Sequence, residues 1–139
     1  MNIDLNAIRA YFTADRFAMN AGIGIDSVTE DCVVCSLELT PQHLNAGGGV
    51  QGGAIFTLAD LAFAVHCNLP MLLGAAVGIT VGQSCSISFL KPAKGKRLIA
   101  KSKRLSQGRN MSVYLIEIHD ELANPVAEMI GNGFTTPKQ

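Results

Sequence analysis

The run Ala54-Ile55-Phe56-Thr57-Leu58-Ala59-Asp60-Leu61-Ala62-Phe63-Ala64-Val65 constrains this 139-residue chain more than any other stretch. It predicts a helix over about 53–68, closed by Pro70, with apolar side chains on nearly every side. Such a helix is stable in water only when other elements surround it, so the rest of the chain must wrap it. Gly47-Gly48-Gly49-Val50-Gln51-Gly52-Gly53 leads straight in and reads as a flexible turn that opens the helix. One carboxylate, Asp60, stands mid-helix and is expected to be buried, which is costly unless it is paired or used.

The flanks read as the wrapping. Leu5, Ile8, Phe12 and Met19 lie near helical spacing, with Asp4 as a cap, and predict a short amphipathic helix over 4–19 on the outside. Residues 21–28 and 32–40 alternate around the turn Thr29-Glu30-Asp31 and predict a hairpin, with Val33, Cys35, Leu37 and Leu39 on one face. A long strand over about 75–90 would place Val77, Ile79, Val81, Cys85, Ile87 and Phe89 on one face, broken only by Gln83. Strands over about 96–106, 110–119 and 125–135 follow; short turns join these later strands, which predicts antiparallel neighbours. One long apolar helix against a curved antiparallel sheet is an α+β fold of the hotdog arrangement. The length suits one domain over 1–139, with an N-terminal helix within 1–20 and a core over about 21–136.

Formal net charge is zero, but charge is unevenly placed. Residues 91–109 hold Lys91, Lys94, Lys96, Arg97, Lys101, Lys103, Arg104 and Arg109 with no acid. Such a block fits an anionic partner, and equally the solvated face of a strand hairpin. Cys32 and Cys35 have CxxC spacing, but in a strand their thiols point to opposite faces, which suits neither zinc nor a redox pair. All four cysteines read as small core or strand residues in a reducing compartment. His43, His66 and His119 show no metal-site or nucleophile-pair spacing, and no serine sits in a nucleophile elbow. Neither a metal nor a nucleic-acid partner is expected. The N-terminus has no basic leader, and the apolar stretch 69–82 is too short to span a bilayer. A cytoplasmic protein with no membrane partner is expected.

Candidate chemistry gathers at the helix start. The N–H groups of Gly52 and Gly53 belong to the first turn, where donors lack helical partners and the dipole favours negative charge. That suits an oxyanion hole, although a glycine turn also serves close backbone packing. Asp60 reads as a general base or nucleophile, or as a structural carboxylate that bonds Thr57 or caps a loop. Asn45 can orient a water or a carbonyl, or simply hold its loop. Gln83 can bring an amide beside the helix, or be a satisfied core amide. Gly52 and Asp60 are eight residues apart, about 12 Å along a helix axis. One carbonyl cannot easily touch both within a chain. If both serve one reaction, the carboxylate comes from a second subunit whose helix runs antiparallel, and a two-fold dimer carries two composite sites.

Asn45, Gln51-Gly52-Gly53 and Leu58-Ala59-Asp60 together resemble the N…HGG…LxD pattern of hotdog-fold acyl-CoA thioesterases, most closely the phenylacetate-degradation (PaaI-like) branch, related to 4-hydroxybenzoyl-CoA thioesterases. Cys85-Ser86-Ile87-Ser88-Phe89-Leu90-Lys91-Pro92-Ala93 is similar to that family's strand-then-Pro segment, and Gln107-Gly108-Arg109-Asn110 to a turn between its later strands. The resemblance covers roughly residues 20–136. It implies thioester hydrolysis, with Asp60 as base or nucleophile, Gly52 as oxyanion donor and Asn45 positioning water or carbonyl. It implies Gln51, Gly53 and either Gln83 or Ser84 near the thioester, and Lys91, Arg109 and Asn110 as contacts to the CoA phosphates. CoA is then part of the substrate, no separate cofactor is implied, and the usual assembly is a dimer, often paired into a tetramer. Gln51 departs from the pattern: it stands where the family usually has His, so it can donate a hydrogen bond but cannot titrate. That departure keeps a second function in view, a non-catalytic acyl-CoA binding or sensing protein.

Overall fold

Residues 2–139 are described by a computed structural model. Two short helices, α1 (Leu5–Phe12) and α2 (Arg16–Ala21), precede the hairpin β1 (Ile23–Val28) and β2 (Val33–Glu38). A single 3₁₀ turn, Pro41–His43, and the glycine loop lead into α3 (Gly52–Cys67) and the one-turn α4 (Leu69–Leu72). Four strands complete the chain: β3 (Thr80–Phe89), β4 (Arg97–Gln107), β5 (Met111–Asp120) and β6 (Pro125–Thr135). One six-stranded antiparallel sheet, in the order β1-β2-β4-β5-β6-β3, curves around α3. This is the α+β, hotdog arrangement expected from the apolar helix.

The N-terminal helix is two helices rather than one over 4–19. Asp4 caps the first by accepting from the Ala7 N–H at 3.2 Å. The second restarts at Asp15, whose carboxylate accepts from the Ala18 N–H at 3.1 Å. Aspartate satisfies orphan donors better at an N-cap than inside a helix, so the chain breaks there. Gly22, at φ 91°, closes α2 in the left-handed region that glycine tolerates.

Two features of β3 depart from the sequence pattern. It lies at the sheet edge beside β6, not beside β4. The connection over residues 90–96 crosses three strand spacings, roughly 14 Å, well within the reach of seven residues. The strand also begins at Thr80, not near 75, and carries a bulge between Gly82 and Ser84 that leaves Gln83 unpaired. A bulge shifts the alternation by one residue. Cys85, Ile87 and Phe89 therefore share the helix-facing side with Gly82 and Thr80, while Val81 turns outward opposite Phe134.

Phe63 is the anchor between helix and sheet. Its buried ring lies so close to β3 and β6 that a Cβ would meet it at 3.2 Å from Gly82 and at 3.1 Å from Gly131. Tyr114 meets the same ring edge-on, with centroids 5.7 Å apart. One turn on, the buried His66 donates from Nε2 to the Glu30 carbonyl at 2.8 Å and accepts at Nδ1 from the Ser102 hydroxyl at 2.7 Å. Both ring nitrogens are thus matched in the neutral imidazole, as a buried polar side chain requires. Cys35 is buried and Cys32 half-buried, as alternation predicts, and all four cysteines are free.

Candidate active site

The loop before α3 is tied down by its own polar groups. His43 accepts the Thr40 N–H at Nδ1 (3.0 Å) and donates from Nε2 to the Ala21 carbonyl (2.6 Å). Its carbonyl then accepts the Gln51 N–H at 2.8 Å. The Asn45 side-chain oxygen accepts from Gly47 at 3.0 Å and Gly49 at 3.1 Å, which folds the glycine run, with Gly48 at φ 85°. That engages the oxygen of Asn45 and leaves its NH₂ without a partner among the described residues. Gln51 is the N-cap of α3, and its Oε1 accepts the Ala54 N–H at 3.2 Å. The N–H groups of Gly52 and Gly53 meet no acceptor among the described residues.

These residues open into two different hollows. Asn45, Gly49, Gly52, Phe89 and Lys91 line a groove of about 380 Å³. Gln51, Gly53, Phe56, Thr57 and Asp60 line a larger hollow of about 880 Å³, closed by Asp15, Phe17 and Ala18 of the α2 region. The structure therefore brings Asn45, Gly52 and Lys91 together, and Gln51, Gly53 and Asp60 together. It does not join the two sets within one chain.

Asp60 is exposed, not buried as its apolar neighbours in sequence predict. The sheet covers Leu58, Ala59, Leu61 and Ala62 but leaves the stripe through Gly53, Thr57 and Asp60 open to the hollow. Thr57 does not serve Asp60: its hydroxyl donates to the Gly53 carbonyl at 2.7 Å. Asp60 has no hydrogen-bond or ion-pair partner among the described residues. Partial desolvation in the hollow, and secondarily the Asp15 carboxylate, raise its pKa above the usual aspartate value. An accessible carboxylate of raised basicity, with no partner to occupy it, is free to act on a reactant.

The remaining candidates lie elsewhere. Gln83, at the bulge, is exposed on the open edge of β3, and the Ser84 hydroxyl bonds Asn132 Nδ2 at 2.7 Å. Arg109 and Asn110 occupy the β4–β5 turn, where Asn110 Nδ2 donates to the Thr135 carbonyl at 3.3 Å. Thr135 pairs with Thr80, at the far end of β3 from Phe89. Nine strand steps, about 30 Å, separate that end from the Gly52 groove. The basic block does not form one patch. Arg97 is paired with Asp26 (3.3 Å) and Glu38 (3.2 Å), and the others spread along both ends and both faces of β4. Among the described residues no group of His, Cys, Asp and Glu is placed to hold a metal ion, and no helix is long and apolar enough to cross a membrane.

A family model described as the Thioesterase superfamily matches residues 47–124. The chain is 36% identical over 119 residues to the acyl-coenzyme A thioesterase PaaI of Escherichia coli (strain K12), spanning 85% of this chain and 81% of that protein. The chain belongs to the thioesterase superfamily. The solved structure of the E. coli PaaI protein from the phenylacetic acid degradation operon superposes with a TM-score of 0.84 at 31% identity, covering 96% of this chain and 94% of that one. A thioesterase from Haemophilus influenzae shares the fold, with a TM-score of 0.87 at 18% identity, over 99% of this chain and 93% of that one.

Two residues of this thioesterase-superfamily chain stand at the hollows without having been singled out from the sequence. Phe89 lies against Gly52: a Cβ there would sit 3.2 Å from its Cζ. Only its place at the end of an alternating strand hinted at that. Asp15 faces the Asp60 hollow, and an aspartate three residues before Ala18 is a readable N-cap signal. The paired Ser102 and His66 look like a nucleophile and base, but Ser102 is 1% exposed and its oxygen also accepts from the Val33 N–H, so no substrate reaches it.

Proposed function

We propose that this chain hydrolyses acyl-CoA thioesters at sites that two chains build together. The observation that carries the reading is the pair of unpartnered N–H groups at the start of α3, set about 12 Å along the helix from an unpartnered, basic carboxylate in a separate hollow. The kinship to an acyl-coenzyme A thioesterase supplies the substrate class.

The geometry of β3 supports the second chain. Its outer edge is unpaired, and Val81 and Phe89 on it are 44% and 55% exposed, with Ile79 just before it 45% exposed. An exposed apolar edge strand is a template for pairing. Antiparallel pairing of two copies of β3 about a two-fold lays the two α3 helices side by side in opposite directions. Asp60 of each then approaches Gly52 of the other. The same operation carries Arg109 and Asn110 of one copy toward the Lys91 end of the other, where they contact the CoA phosphates. Gln83 and Ser84 border the thioester along the joined edge.

In that site the thioester carbonyl accepts from the Gly52 N–H, and Gly53 adds to the positive end of the helix. Asn45 turns its free NH₂ toward the carbonyl or the attacking water. Asp60 removes a proton from water, or attacks the carbonyl to form an anhydride that water opens. The tetrahedral oxyanion is stabilised at the helix start until the CoA thiolate leaves. No cofactor takes part. The protein acts in the cytoplasm as a dimer or a dimer of dimers.

Gln51 favours a second reading, an acyl-CoA binding or sensing protein without turnover, because its amide cannot titrate and its oxygen is engaged by Ala54. One experiment separates the two. Asp60→Asn is expected to lower thiol release by about 10²–10⁴ while circular dichroism and oligomeric state stay unchanged. Wild-type turnover in that variant sinks the mechanism. Binding of CoA esters by the wild type with no thiol released from short, medium, long and aryl esters selects the sensor.

A further inference from the structure

The hollow around Asp60 holds a second carboxylate that the reaction as drawn does not use. Asp15 lines it from the start of α2 and is fixed there by its capping bond to the Ala18 N–H. Among the described residues no lysine or arginine lines this hollow, and Phe17, Ala18, Ala54 and Phe56 contribute apolar wall around the two acids. Arg16, next in the chain, lines a different surface depression with Thr13 and Met19. Neither carboxylate has an ion-pair partner among the described residues. We propose that Asp15 is a positioning residue for Asp60, its pinned negative charge across the hollow making Asp60 a stronger base. This rests on the reading of Asp60 as the reacting carboxylate.

The other groups around Asp60 do not supply that effect. His43, from the 3₁₀ turn, has both ring nitrogens engaged. The Cys67 thiol on α3 is pushed up to about 12 by burial, and burial also raises Cys85 on β3. Both thiols are therefore neutral near neutral pH. Among the described residues Asp15 is the one charged side chain that lines the hollow besides Asp60 itself, Arg16 on the same helix lining the other depression, and like charge disfavours ionisation of a carboxylate. A general base works best when its proton affinity lies nearer the working pH.

The test uses the full chain with Asp15→Asn, since asparagine caps a helix about as well as aspartate. The Asp60 carboxyl is followed by ¹³C NMR titration, and kcat/KM by thiol release across pH. Asp15→Asn is expected to move both the Asp60 titration and the acid limb of kcat/KM to lower pH, and Asp15→Glu to return both toward wild type. Added salt should move the wild type in the same direction and Asp15→Asn less. An Asp60 titration that does not move in Asp15→Asn overturns the proposal. A titration that moves while the acid limb stays supports the coupling and overturns Asp60 as the reacting group.

Discussion

The Gly52 N–H can be deleted without disturbing the helix it opens. Gly52 is the first residue of α3, and Gln51 before it is extended at φ −68°, ψ 132°. Proline is favoured at that first position because its missing N–H is an orphan there, and the residue before proline prefers this extended conformation. Gly52→Pro therefore removes one donor and keeps the helix and Asp60 in place. Loss of a single oxyanion donor costs about 10²–10³ in kcat, roughly 2.7–4 kcal/mol. Gly52→Ala is the control. It keeps the N–H and adds a similar Cβ, 3.2 Å from Phe89 Cζ and 3.4 Å from Cε1, against a ring that is 55% exposed and free to swing away. The ratio of the two variants in thiol release isolates the donor. Circular dichroism and thermal unfolding check that both fold. Gly52→Pro within threefold of Gly52→Ala refutes the oxyanion role. Co-expression with Asp60→Asn then tests the composite site. Random pairing makes about half hybrids, each with one of two sites intact, so about a quarter of wild-type turnover returns. If both groups acted within one chain, the mixture would be as inactive as its parts.

The remaining predictions concern stability. Burial lowers the pKa of His66 below the usual histidine value, against the opposing hydrogen bond to the Glu30 carbonyl. The unfolded chain then binds more protons near its own histidine value of about 6.5, so this contribution is complete above that pH and is lost as pH falls below it. The difference in melting temperature between wild type and His66→Gln should shrink from pH 7.5 to pH 5; a constant difference refutes the linkage. Gly131→Ala drives a Cβ to 3.1 Å from Cδ1 and Cε1 of the buried Phe63 ring, an overpacking cost of about 1–3 kcal/mol in denaturant titration. Phe63→Ala alone should cost about 3–5 kcal/mol, and the double variant less than the sum; strict additivity rules out the contact as the cause.

Local pattern carried much of the fold. The alternation of Val33, Cys35 and Leu37 placed their burial correctly, and the glycine run before the apolar segment placed α3 to within a residue. What failed was non-local. Nothing in Gly82-Gln83-Ser84 announces a bulge beyond a glycine in a strand, yet that bulge decides which side chains of β3 face the helix. The short link after β3 suggested a hairpin, but the chain crosses the end of the sheet instead. Asp120 passed unnoticed because its donors lie far off in sequence. Its buried carboxylate accepts from the N–H groups of Lys94, Gly95, Leu122 and Asn124 and from the Asn124 side chain. Burial alone would raise its pKa, but those bonds outweigh it and hold the group well below the usual carboxylate range. The placing of Gly52 and Asp60 on one helix, and so the distance between them, was legible. The site's division between two hollows was not, since that depends on which flank of α3 the sheet leaves open.

Two departures from the sequence pattern share one physical cause under the proposed function. Asp60 was expected inside because its helix is apolar all round, and the apolar residues of β3 were expected to face something. Both are open to solvent in the isolated chain. An edge strand with no charged guard leaves apolar surface that water covers poorly, and the stripe of α3 left open carries its one carboxylate. Hydrophobic patterning reports the burial a sequence needs, not which chain provides it. If a second copy covers β3 and the open flank of α3, the pattern and the exposure agree. Asp60 must then stay unpaired within its own chain, because a partner found there would hold it away from the neighbour's Gly52. Asp15 satisfies the same constraint: it stands near enough to act on Asp60 through charge, yet as a carboxylate it cannot engage an ionised Asp60 in an ion pair.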